Sequence, residues 1–132
     1  AGAPYGMTPV AVGGARRIEA GLLNAGADFD HTVTPFAAGL GSMVSLEKQD
    51  FIGKEAYLKA RDEDPTTILC TLTVEDHTTS TGEKRYMLGH VPILTEAGEP
   101  ITDVKNRRSY VTSAGNGPCV GKYILMAYLP PE

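Results

Sequence analysis

The sequence predicts an α+β chain, helices first and strands after, and three observations carry the prediction. Two segments, 9–23 and 51–61, place apolar residues at helical spacing behind a capping residue. From Ile68 onward apolar residues alternate with polar ones instead. Turns rich in Gly, Pro and Asn then divide the second half into short strands, a spacing that suggests a small antiparallel β-barrel. The expected order is two helices and a short strand, followed by an incomplete barrel.

In the first helix Thr8 offers an N-cap hydroxyl and Pro9 occupies the first helical position, where its missing N–H costs nothing. Gly13-Gly14 weakens the run by roughly 1 kcal/mol per glycine relative to alanine. Helical spacing aligns Val12, Ala15, Glu19 and Leu22 on one face, so Glu19 interrupts an apolar stripe. A carboxylate there needs a partner, because an unpaired buried charge is costly. The residues alone leave two readings open, an ion pair with Arg16, Arg17 or another cation, and a contact with a ligand.

Residues 24–35 are a polar connection, and Gly39-Leu40-Gly41 a tight turn leading into a short strand at Met43 to Leu46. Asp50 is expected to cap the second helix, with Ile52, Ala56 and Ala60 as its apolar positions and Pro65 as the stop. A domain boundary is expected there, separating residues 1–61 from 62–132.

The first long strand puts Ile68, Cys70, Leu72 and Val74 on one face, with Thr71 and Thr73 on the other. A polar loop around Gly82 follows. Met87–Leu94 and Ile101–Val104 read as strands flanking the turn Glu96–Pro100. Tyr110–Ser113 and Val120–Leu129 are the last two strands, joined through a loop set by Gly115 to Gly121. The final strand, apolar at nearly every position from Tyr123 to Tyr128, is expected to be buried on both faces.

Composition excludes several classes. The chain has 132 residues, 42% of them hydrophobic and 21% charged, which suits one soluble domain or a domain with the tail of another. A net charge of −4 with scattered basic residues argues against nucleic acid. No apolar run approaches a membrane span and no secretory signal opens the chain, so a cytoplasmic location is expected, or a mitochondrial one if the source is eukaryotic. Cys70 and Cys119 form no disulfide framework or CxxC pair and read as small hydrophobes in strands or at strand edges. His31, His77 and His90 are too dispersed to suggest a metal site. Gly53-Lys54 lacks the glycine-rich loop of a phosphate site, and Arg107-Arg108 reads as a solvated turn in preference to a seat for an anionic tail.

Four blocks in fixed order carry more than any one of them: Arg17-Ile18-Glu19-Ala20-Gly21; Thr34-Pro35 with Gly39-Leu40-Gly41; Asp50-Phe51-Ile52-Gly53-Lys54-Glu55-Ala56; and Val111-Thr112-Ser113-Ala114-Gly115 running on through Gly117-Pro118, Gly121-Lys122 and Ala127-Tyr128. Together they resemble the C-terminal part of the aminomethyltransferase family, founded on the T-protein of the glycine cleavage system, over residues 5–130. The resemblance implies that residues 1–61 close a folate-binding domain and that 62–132 begin the family's C-terminal β-barrel domain. It implies tetrahydrofolate as cofactor, with Glu19 as the pterin-binding carboxylate. The pterin edge presents two parallel donors, and an ionised carboxylate has two acceptors to match them.

The sequence departs from the family pattern at Ala37, where an acid is usual, and at Ser109, where a glycine is common. The family's N-terminal half, with the aspartate that assists attack by the folate nitrogen, and its final strands lie outside this sequence. No catalytic residue is therefore expected within the fragment, and the fragment alone is expected to be inactive. The implied partners are a small-molecule one-carbon donor or an aminomethyl-lipoyl carrier protein. An alternative is the folate-binding tail of a dimethylglycine or sarcosine dehydrogenase-type flavoprotein. A non-catalytic assembly protein of the same fold is a third reading, but its Lys-Gly-Cys-Tyr signature is absent. An incomplete barrel should also expose an edge at Val120–Leu129, through which the fragment is expected to self-associate.

Overall fold

The computed structural model describes residues 3–8 and 13–131. Two helices, α1 (Gly14–Glu19) and α2 (Lys54–Arg61), precede three strands, β1 (Ile68–Val74), β2 (Val111–Gly117) and β3 (Lys122–Leu129). The strands form one antiparallel sheet in the order β1-β3-β2, and the sheet is open. The α+β class is as expected, and no closed barrel forms among the described residues.

β3 is central because its sequence can be buried on both sides. Ile124 and Met126 point to the face covered by α1, where they form the core with Ile18, and Leu23 and Leu69 pack against it. Tyr123 and Ala127 are buried on the opposite face, where the rings of His77 and Tyr86 lie 5.4 and 5.6 Å from Tyr123 and its hydroxyl donates to the Met87 carbonyl. This centrality corrects one expectation. Val120–Leu129 is no free edge, since β3 pairs with β1 from Ile68↔Leu129 and with β2 from Val111↔Ala127. Self-association through that strand has no unpaired backbone to use.

The first helix is shorter than expected. Pro9 to Val12 lie outside the described residues, and the cap position is held by Gly13, without a side-chain hydrogen bond, where Thr8 was expected. Its C-terminus is set by Gly21 at φ +70°: Gly21 N–H donates to Ile18 O and Leu22 N–H to Arg17 O, a Schellman closure that only a left-handed residue permits. Ending there turns Leu22 outward, 61% exposed, and makes Ile18 the buried anchor. Glu19 therefore sits half-buried beside the apolar contact, outside the row predicted for it.

α2 also starts late, after Gly53 at φ +91°, and Asp50 only accepts from the adjacent Phe51 N–H. The predicted face is wrong: Ile52 is fully exposed, and Tyr57 anchors the helix through its ring on Phe36 and a 2.7 Å bond to the Gly41 carbonyl. Residues 41–43 form a 3-10 turn and no strand follows, because Met43 is 80% exposed and nothing pairs with its backbone as a strand partner. Met87–Leu94 and Ile101–Val104 are held by isolated bridges, Pro92↔Tyr110, Leu94↔Pro100 and Thr102↔Arg108, in place of continuous strands. Prolines at 92 and 100 lack the N–H that an uninterrupted ladder requires. Cys70 is half-buried in β1 as expected, but Cys119 is exposed in the β2–β3 turn.

The approach of α1 to the sheet leaves no room beside Gly117. A β-carbon there would lie 2.5 Å from Ile124 Cδ1 and 3.2 Å from Glu19 Oε1. Ile124 is 3% exposed and has little space to retreat. Gly117→Ala should therefore lower stability by about 1–3 kcal/mol, read as a reduced urea midpoint with an unchanged m-value.

Candidate functional site

Glu19 ends α1 with its side chain lying over the β2–β3 turn. Its Oε1 accepts the backbone N–H groups of Cys119 at 2.7 Å and Val120 at 2.9 Å. Neither Arg16 nor Arg17 pairs with it, so the ion-pair reading is corrected: the partner is backbone. Two bonds fill the lone pairs of Oε1, while Oε2 has no hydrogen-bond partner among the described residues. The carboxylate is thus fixed by one oxygen and open at the other.

What holds α1 in this position is a buried network that the sequence did not reveal. Arg17 Nη1 donates to Asp28 Oδ2 at 2.6 Å and its Nη2 to Ser113 Oγ at 2.7 Å. Asp28, 1% exposed, also accepts the Asn24 N–H on Oδ2 and the Thr112 hydroxyl on Oδ1, while its carbonyl accepts the Tyr128 hydroxyl. Burial pushes the Asp28 carboxyl up, but Ser113, Thr112, the Asn24 amide and Arg17 together outweigh it and hold it below the ordinary aspartate value. Burial, with the Asp28 charge, pushes the Tyr128 hydroxyl up to about 12, so it remains a donor. Arg17 and Asp28 join α1 and the 24–30 loop to β2 and β3, and Glu19 is carried one half-turn beyond that joint.

Arg107 is likewise engaged: its guanidinium bonds Asp103 and Thr66, pinning the 103–107 loop to the end of α2's connection. Burial raises the Asp103 carboxyl, but the Arg107 amide and guanidinium and the Lys105 amide prevail and lower it to about 2. A depressed folded value means that the carboxylate's stabilising contribution is complete above the unfolded value near 3.8 and is lost as pH falls through about 2. Amide resonances of residues 103–107 should therefore stay in place on acidification through pH 4 and shift only near pH 2. In Asp103→Asn they should be displaced already at neutral pH.

Ala37, at the place where the family carries an acid, is buried and its carbonyl accepts the Leu69 N–H of β1. A cavity of about 330 Å³ lies between the 26–33 loop and residues 107–110, and a smaller one of about 110 Å³ adjoins it near Thr66. Glu19 lines neither. Among the described residues no group of three or more His, Cys, Asp or Glu is placed to hold a metal, and no helix is long and apolar enough to cross a membrane.

No family-wide sequence profile matches the chain. Individual relatives do. It is 33% identical over 98% of its length to an aminomethyltransferase of Streptomyces avermitilis, covering 32% of that protein. It is 34% identical over 88% of its length to an aminomethyltransferase of Francisella philomiragia, covering 29% of it. A trimethylamine-oxide aldolase of Ruegeria pomeroyi is 33% identical over 96% of the chain, which covers 15% of that enzyme. Among solved structures, the glycine cleavage system aminomethyltransferase T of Bartonella henselae superposes with a TM-score of 0.68 at 26% identity, over 86% of this chain and 28% of that one. The chain thus spans about a third of the length of the aminomethyltransferases it matches. With this likeness in sequence over nearly the whole chain and the shared fold, the chain belongs to the aminomethyltransferase family of the glycine cleavage T-protein.

Proposed function

We propose that this chain supplies the pterin-facing wall of a tetrahydrofolate-dependent transferase that moves an aminomethyl or methyl one-carbon unit to the folate. The observation that carries the reading is Glu19, a carboxylate fixed through Oε1 by two turn amides and without a partner at Oε2 among the described residues. An anionic acceptor fixed in advance suits a pterin, whose edge presents an N–H and an amino group together. Oε2 takes one of these donors directly. The second reaches Oε1 only in competition with the Cys119 or Val120 amide, so the paired contact expected from the sequence becomes a contact at one oxygen, or else requires the turn to yield. Tetrahydrofolate, when bound, supplies the nitrogen that accepts the one-carbon unit.

The rest of the chain's contribution is positional. Arg17 and Asp28 set the height of α1 above β2, and catalysis in such a site depends heavily on placement. The same stretch is shared at equal identity by aminomethyltransferases and by a trimethylamine-oxide aldolase, which supports assigning it the part those enzymes have in common, not the selection of the donor. The donor, an aminomethyl-lipoyl carrier protein or a small methylated amine, would then be chosen elsewhere. The division into a folate-binding portion, 1–61, and a β domain, 62–132, belongs to the same proposal, as does inactivity of the chain alone. Isotope-labelled donor and tetrahydrofolate supplied to the intact protein should give labelled one-carbon folate, with none formed by this chain by itself. Absence of labelled folate from the intact protein would overturn the reading.

A further inference from the structure

We propose that the cavity between the 26–33 loop and residues 107–110 is a second ligand site, which takes a small planar molecule bearing one oxyanion, carboxylate or phosphate, seated on Arg108. Its volume, about 330 Å³, is within the range of small-molecule sites. Three otherwise unexplained features converge on its wall. Arg108 lines it, and its guanidinium has no hydrogen-bond or ion-pair partner among the described residues, in contrast to Arg107 beside it. Ser109, 3% exposed and also in the wall, keeps a buried hydroxyl without a partner, an exception in folded chains that calls for a reason. His90 adopts φ +69°, and its ring stacks on Tyr110 at 5.8 Å with 22° between planes. Backbone strain of this kind persists where the surrounding structure depends on it, and such positions cluster at ligand sites.

The chemistry of the ligand follows from the wall. Of its acids, Asp28 pairs with Arg17, while Asp30 Oδ1 accepts the amide and hydroxyl of Thr32, neutral donors that fix its carboxylate and leave its charge in place. Arg108 is the wall's guanidinium with no ion-pair partner among the described residues, and a guanidinium matches an oxyanion with two parallel N–H groups. The rings of His90 and Tyr110 offer flat faces to a planar body. Glu19 lies outside this wall, so the site is separate from the pterin contact.

The test is an NMR titration of the isotope-labelled chain with benzoate, phenyl phosphate and the neutral isostere benzamide. Saturable shifts should converge on His90, Arg108, Ser109 and Tyr110, and the tighter of benzoate and phenyl phosphate identifies the oxyanion. Arg108 is exposed, so Arg108→Gln should fold normally and weaken the preferred anion roughly tenfold. The proposal is overturned if benzamide binds as well as the anions, if Arg108→Gln leaves affinity unchanged, or if none of the three probes gives saturable shifts at these residues.

Discussion

Replacing Asp28 by alanine is expected to cost the fold about 3–5 kcal/mol, the largest stability effect of any single substitution considered for this chain. The side chain is fully buried and accepts from Arg17, Asn24 and Thr112 at once, so its loss strands a guanidinium, a backbone amide and a hydroxyl together. For a domain of ordinary stability, about 5–15 kcal/mol, that is a large fraction. Asp28→Asn should cost less, because the amide oxygen retains one acceptor, yet it loses the charge that pairs Arg17. Denaturant midpoints of the two variants check the order. The pH dependence has a definite sign. The folded Asp28 value lies below the ordinary one, so its contribution is complete above the unfolded value and drains away as pH falls through the folded one. Wild type should therefore lose stability on acidification below the ordinary aspartate range, and Asp28→Asn should show a flatter profile over that window. An alanine variant as stable as wild type would remove the network from its place as the joint between α1 and the sheet.

How much of this was legible beforehand depended on the kind of interaction involved. β1 and β3 were readable because their burial is written as local alternation: Leu72 and Val74 against Thr71 and Thr73, and an unbroken apolar run in β3. The helix face was misread by one step because the stop at Gly21 was not used. Ala20-Gly21 after Glu19 carries the ordinary C-cap pattern, and placing the end there would have put Ile18 inward and Leu22 outward. The Asp28 network had no local mark at all. Arg17, Asp28 and Ser113 are separated by up to 96 positions and meet only through the fold, and a single acid in a polar connection looks like solvent-facing loop. Glu19 was singled out for interrupting an apolar row in which the fold does not place it, and its partners were invisible, since backbone amides at Cys119 and Val120 leave no trace in residue identity. The cavity wall was only half readable: Arg107-Arg108 stood out, while their division into a loop clamp and an unpaired cation depends on which side of the turn each faces.

Glu19→Gln should separate the two roles of that carboxylate. The glutamine oxygen can still accept the Cys119 and Val120 amides, so the turn should hold, and hydrogen-exchange protection of those two amides in the chain should remain close to wild type. The other atom becomes an NH₂ group, which presents donors to the pterin's donors. An attractive charge-assisted contact, worth about 1.5–3 kcal/mol, is replaced by a donor-to-donor clash, so tetrahydrofolate affinity of the intact protein should fall by roughly tenfold to a hundredfold. Glu19→Ala should lose both, weakening folate and also exposing the two amides to exchange. The pair of variants is decisive because a purely structural Glu19 predicts the reverse pattern: glutamine near wild type in both measurements, and folate binding impaired only where the turn has opened. Calorimetric titration of tetrahydrofolate into the intact variants, beside amide exchange of the chain, reads the two columns independently. If glutamine binds folate as tightly as glutamate does, the carboxylate is a clamp on the β2–β3 turn and the pterin must be sought against another wall.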